Sequence, residues 1–111
     1  MNLTTSRVSG VAVLTVQEPR LTFPVLPDLA AAAAELISAG ETRLVIDLTA
    51  VNYVDSAAIG CLMDLYRQST AASGTLKLAG VQKRVETMLT MTGAHHFLEV
   101  HSATAAAVAS F

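Results

Sequence analysis

The chain is short of most features that carry chemistry, and each shortage excludes something. Cys61 is its only cysteine, so neither an intrachain disulfide nor a cysteine-rich zinc site is available. Basic residues are not in excess: seven Lys and Arg stand against nine Asp and Glu, a formal net charge of −2. A protein that grips nucleic acid neutralises phosphates with a surplus of cations, and none exists here; a polybasic patch for a membrane surface is missing for the same reason. No apolar run approaches the roughly 18 residues that would span a bilayer, although 52% of the residues are hydrophobic, because much of that fraction is alanine. The start, Met1 to Arg7, is polar and has no apolar segment of the signal-peptide kind behind it. No glycine-rich phosphate loop occurs, so nothing in the chain is built to cradle ATP. A folded, cytoplasmic domain without a cofactor is the expectation, and 111 residues suit one core better than two.

What is present is a regular alternation of patterns. Leu3–Val8 and Val11–Val16 are two β-branched runs joined by Ser9-Gly10, which reads as a hairpin. Three prolines between Glu18 and Pro27 forbid continuous helix or a central strand, so this stretch reads as a loop leading into a helix with Asp28 in its first turn. Leu29, Ala32, Ala33, Leu36 and Ile37 share a helical face that stops at Gly40. Residues 43–48 (RLVIDL) fit a strand covered on both faces. Ile59, Leu62, Met63 and Tyr66 mark a second helix ending near Ser73-Gly74. Thr75–Ala79 alternates Leu76 and Leu78 with Lys77, as a strand with one wetter face would. Val85, Met88 and Leu89 define a third helix closed by Gly93. A strand around Phe97–Val100 and an alanine-rich helix capped by Ser102 complete the chain. This order predicts an α/β fold: a mixed, mostly parallel sheet with an N-terminal hairpin and about four helices.

The informative segment runs from Val45 to Gly60. A buried strand ends in Asp47-Leu48, and Asp55-Ser56 opens the next helix. In open α/β sheets, ligands and partners gather beyond the carboxyl ends of the strands, which is where Ser56 falls. Asp and Ser are also both good N-caps, so capping and a functional role remain open and compatible. Ala57 and Ala58 leave the neighbouring surface low, which would let another protein come close to the backbone.

These residues resemble a known family. Asp47-Leu48, then Val54-Asp55-Ser56-Ala57-Ala58-Ile59-Gly60, then Leu76-Lys77-Leu78-Ala79-Gly80-Val81 are similar to the STAS domains of anti-sigma-factor antagonists, and the likeness extends over residues 1–111 as one STAS domain. It implies that Ser56 is a phosphorylation site and that Arg20, Thr22, Phe23, Asp55, Ser56, Ala57 and Ala58 contact a partner. The implied partners are an anti-sigma factor that is also a serine kinase of the GHKL ATPase type, and a PP2C-type phosphatase that resets the switch. A monomer is expected of a module that exchanges partners. The chain departs from the family in having Ala57-Ala58 where many members have Ser or Thr and then Gly. It also has Thr22 where many carry an acidic residue that contributes to kinase contact.

Other readings of the same residues are weaker. A catalytic Ser56 would need the G-x-S-x-G elbow, but Val54 and Ala58 stand at the flanking positions. His95 and His96 are adjacent and expected to point apart, with only Glu99 as a nearby acid, so with His101 they read as a solvated loop and not a metal site. Cys61 reads as a small packed thiol and Lys83-Arg84 as a solvated helix start. The chain is therefore expected to be a kinase substrate and not an enzyme. The alternative is a STAS scaffold subunit, of a stressosome-like or transporter-associated complex, in which Ser56 only caps its helix.

Overall fold

The computed structural model describes residues 2–111. Strands β1 (Leu3–Val8) and β2 (Val11–Val16) form the hairpin, turning at Ser9 and Gly10 with φ of 52° and 79°. Two successive residues with positive φ match the twist of the flanking strands, and glycine takes the second place without strain. The sheet continues through β4 (Arg43–Asp47), β6 (Thr75–Ala79) and β7 (Glu99–His101), all parallel to β2, in the order β1-β2-β4-β6-β7. Two further strands of two residues each, β3 (Arg20–Leu21) and β5 (Tyr53–Val54), pair with one another apart from this sheet.

Four helices cover the sheet. α1 (Leu26–Ser38), α2 (Ser56–Ala71) and α3 (Lys83–Thr92) lie on one face, where Leu29, Leu62 and Leu89 meet Leu14, Ile46 and Leu78 in a single core. Each fully buried leucine of this kind contributes roughly 1.5–3 kcal/mol of burial free energy. The opposite face presents Val11, Val13, Val45 and Ala79, and the short α4 (Thr104–Ala109) covers it with Ala107, Val108 and Phe111. The strand at 43–47 is therefore buried on both sides, as its unbroken apolar run predicts. The α/β architecture, the hairpin and the four helices stand as expected.

Several local expectations are corrected. The face of β6 that carries Lys77 is not wet: Lys77 is only 6% exposed, because α4 folds back over it. Its ammonium donates to the Ser110 carbonyl at 3.0 Å and to Ser110 Oγ at 2.6 Å, and pairs with Glu99 at 2.8 Å. A lone lysine in an otherwise alternating strand carries no sign of which helix will return to satisfy it. The last strand begins at Glu99 and not at Phe97, because residues 94–96 form a 3-10 turn, with Ala94 and Leu98 anchored in the core and Phe97 exposed between them. Ser102 does not cap α4; the cap position is Ala103, with no side-chain bond. The proline-rich loop holds β3 and a 3-10 turn at Phe23–Val25, and Pro27 sits in the first turn of α1, where its missing N–H costs nothing.

Candidate functional site

The site is assembled where β4 and β5 deliver the chain to the start of α2. After β4, Asp47 Oδ1 accepts from the backbone N–H of Thr49 at 2.9 Å and from its hydroxyl at 2.6 Å, folding the chain tightly. That turn lies against Gly80, which has φ of 68°; a Cβ there would stand 2.0 Å from Thr49 Oγ1. Glycine at this position in Leu78-Ala79-Gly80-Val81 is thus required twice over, by backbone conformation and by space. The Thr49 carbonyl accepts from Gln82 Nε2 at 2.7 Å, which fixes the other side of the turn.

From this turn the chain enters β5, whose pairing decides the site. Arg20 is opposite Tyr53 and Leu21 opposite Val54, while Asn52 N–H donates to the Pro19 carbonyl at 2.8 Å. The guanidinium of Arg20 lies 4.3 Å from the centre of the Tyr53 ring, a cation–π contact on the surface. Leu21 and Val54 are fully buried and anchor this miniature ladder to the core.

Asp55 closes the arrangement. It is the N-cap of α2, with Oδ1 accepting from Ala58 N–H at 2.8 Å, and its Oδ2 accepts from Phe23 N–H at 2.9 Å. One carboxylate therefore caps the helix and holds the loop that carries Thr22 and Phe23. Ser56, the first residue of the helix, is exposed, and among the described residues nothing hydrogen-bonds its hydroxyl. The capping role that residue type alone left open for Ser56 belongs to Asp55. Ser56 stands at the positive end of a 16-residue helix, a position that favours an anion.

The structure brings Arg20, Thr22, Phe23, Asp55, Ser56 and Ala57 to one surface. Phe23 is 71% exposed, unusual for a side chain of its size. Ala58 is corrected: it is fully buried in the core and offers a partner nothing. The low surface beside Ser56 comes instead from half-buried Ala57 and from Gly60, one turn further on, where an added Cβ would meet nothing within 4 Å. Gly60 was legible as a glycine amid helix formers, but nothing in the sequence marks which way it faces. Cys61 is half-buried, packed on the core with one side, and burial together with the nearby Asp64 charge raises its thiol above the usual range.

The histidines lie elsewhere. His95 and His96 do not point apart; the 3-10 turn brings their rings to 4.0 Å, centre to centre. His101 contacts Glu99 at 3.5 Å and Ser110 Oγ at 3.2 Å, as part of the group around Lys77. Glu99 is held below the usual carboxylate range, chiefly by its bond to Lys77. Among the described residues no group of three or more His, Cys, Asp or Glu is placed to hold a metal, and no helix is long and apolar enough to cross a membrane.

Solved structures similar to this one include anti-sigma factor antagonists and transporter-family proteins. An anti-sigma factor antagonist from Mycobacterium paratuberculosis superposes with a TM-score of 0.88 at 19% identity, over 98% of this chain and 92% of the other. The phosphorylated form of the Bacillus cell-fate determinant SpoIIAA superposes with a TM-score of 0.75 at 14% identity, over 98% of both chains. A sulfate transporter family protein from Wolinella succinogenes gives 0.80 at 19% identity, over 93% of this chain and 85% of the other. At these identities the likeness is one of fold. No curated protein matches the chain in sequence. The family model of the STAS domain matches residues 2–107, nearly the whole chain, and the protein belongs to the STAS domain family.

Proposed function

We propose that this protein is an anti-sigma-factor antagonist whose docking surface is the Arg20–Phe23 loop and the start of α2, and whose state is set by phosphorylation of Ser56. The observation that carries the reading is the unengaged, exposed Ser56 hydroxyl beside a loop pinned by Asp55. A kinase needs a hydroxyl that it can reach without unfolding its substrate. Because Asp55 already caps the helix, modifying Ser56 leaves α2 intact. That a structural neighbour, SpoIIAA, exists in a phosphorylated form supports the reading further. The chain acts as a substrate and a binding module, with ATP supplied by a GHKL-type serine kinase that is itself the anti-sigma factor, and with a PP2C-type phosphatase restoring the hydroxyl.

Magnitudes place the effect at the interface. Phosphoserine adds about −1.5 to −2 charges. A partner carboxylate about 4 Å away is then repelled by roughly 4 kcal/mol per unit charge at an effective dielectric near 20. Since about 1.4 kcal/mol changes an affinity tenfold, a fraction of that repulsion releases a moderate complex. The helix-dipole gain within the domain is only about 0.3–1 kcal/mol.

The test is to incubate the protein with GHKL-type serine kinases and Mg-ATP and to locate any added phosphoryl group by mass spectrometry. Modification at Ser56, lost in Ser56→Ala, is expected, and Ser56→Asp should weaken kinase binding at least tenfold with an unchanged circular dichroism spectrum. Equal kinase affinity for the Asp and wild-type forms would instead favour a constitutive scaffold role, the reading that the transporter-family neighbour brings to mind.

A further inference from the structure

Beside Ser56 the surface opens into a groove of about 410 Å³ between α1 and α2. Leu26 and Ala30 form one wall, Ala57, Gly60 and Cys61 the other, and exposed Phe23 stands in the lining. Among the described residues Asp64 is the single charged one that lines it. That carboxylate pairs with Arg67 at 3.0 Å, and the two side chains are 71% and 65% exposed. So solvated a pair holds its partners loosely and leaves the anion available to a cation from outside. The field of Asp64 also reaches into the groove, where it helps raise the Cys61 thiol. Along α2, the lining from Ala57 to Gln68 covers about 16 Å, or three helical turns at 1.5 Å per residue. Small residues on the α2 wall allow another backbone to approach closely.

We propose that this groove receives one amphipathic helix of the docking partner, antiparallel to α2, with its C-terminal end at Ser56 and a lysine or arginine near its N-terminal end against Asp64. This rests on reading Ser56 as partner-facing, and it specifies what docks there and in which direction. The polarity follows from charge. The amino end of α2 is positive and attracts the negative, carboxyl end of a second helix. Ser56 and Asp64 are eight residues apart, about 12 Å along the axis, which exceeds the Debye length of about 8 Å at physiological salt, so the two ends respond separately. A phosphoryl group on Ser56 then opposes the carboxyl end of the docked helix while the Asp64 contact stays intact. A helix docked the other way round would be held more tightly by phosphorylation, which is the wrong sign for release.

The experiment titrates the isotope-labelled full chain with two lactam-bridged helical peptides of about 15 residues that share one Leu/Ala face. One carries Lys near its N-terminus and Glu at its C-terminus; the other has these charges exchanged. The first should shift the amide signals of Ala57, Gly60 and Cys61 and bind at least tenfold more tightly than the second. Ser56→Asp should weaken the first and strengthen the second. Asp64→Asn should narrow the difference between them, and Gly60→Leu, at an open position, should abolish both while leaving the melting temperature within a few degrees. Absent shifts, shifts elsewhere or equal affinities would overturn the proposal. So would concentration-dependent shifts of these amides in the free protein with a dimer in sedimentation equilibrium, since a second copy would then occupy the groove. If the peptides bind with the stated polarity but no kinase modifies Ser56, the phosphorylation reading fails and the groove assignment stands.

Discussion

Asp55 and Phe23 are 32 residues apart in sequence, and a single 2.9 Å hydrogen bond from the Phe23 N–H to Asp55 Oδ2 locks the loop of one to the helix cap of the other. The same carboxylate bonds Ala58 N–H through its second oxygen. Position and presentation of the exposed phenyl ring are therefore set by the residue that precedes Ser56.

Replacing Asp55 by alanine should cost about 1 kcal/mol through loss of the helix cap alone. It should also free the Phe23 amide, seen as faster hydrogen exchange at Phe23 while amides of β4 stay protected. Asp55→Asn, whose single carbonyl oxygen can accept at only one of the two amides, should fall between the two in denaturant midpoint. If the Phe23 amide exchanges at the same rate in Asp55→Ala and wild type, the carboxylate does not hold the loop.

Gly80→Ala should be the most damaging of the conservative changes. The positive φ costs a residue with a Cβ about 1–2 kcal/mol, and overpacking against Thr49 adds about 1–3 kcal/mol, so a loss of about 2–5 kcal/mol is expected in chemical denaturation. Thr49→Ala, which removes the nearest atom, should restore part of that loss in the double variant.

The thiolate is the reactive form of cysteine, and burial together with Asp64 disfavours it at Cys61. Alkylation by N-ethylmaleimide should accordingly be slower than for a free cysteine peptide at neutral pH and should accelerate only at a pH above the ordinary thiol range. Asp64→Asn should speed it, by less than global unfolding does, because burial is the larger cause. A rate equal to that of the unfolded chain would show that Cys61 is not packed as described.

Glu99 is held below its ordinary range in the folded state, so its stabilising contribution is full above the unfolded carboxylate value and disappears as pH falls through the lower, folded value. The carboxylate is half in water, with 53% of its side chain exposed, so Glu99→Gln should cost less than about 1 kcal/mol at neutral pH. The variant and wild type should converge in stability at strongly acid pH. A difference that persists unchanged there would mean the Lys77 bond is not its source.

The architecture was legible because hydrophobic periodicity is local. The hairpin at Ser9-Gly10, the two-sided burial of 43–47 and the stripes of α1, α2 and α3 each follow from spacing within a few residues. Ser56 too was found from its immediate surroundings, at the join between a buried strand and an apolar helical stripe. Two of the misreadings have the opposite property. Lys77 reads as solvent-facing until Ser110, 33 residues away at the end of α4, returns to bond it, and Ala58 reads as surface until the rotation of α2 is known.

The residues of this chain by themselves determined an α/β order of strands and helices, an unbasic and nearly cysteine-free character, and the placing of Asp55-Ser56 at a helix start. Tertiary structure alone decided that Asp55 and not Ser56 takes the cap, that Pro19–Phe23 is zipped to Asn52–Asp55, and that Phe23, Ala57 and Gly60 share one surface. The reason is physical. Propensity and periodicity act over one or two turns of chain, whereas a hydrogen bond between distant segments exists only after the sheet has brought them together.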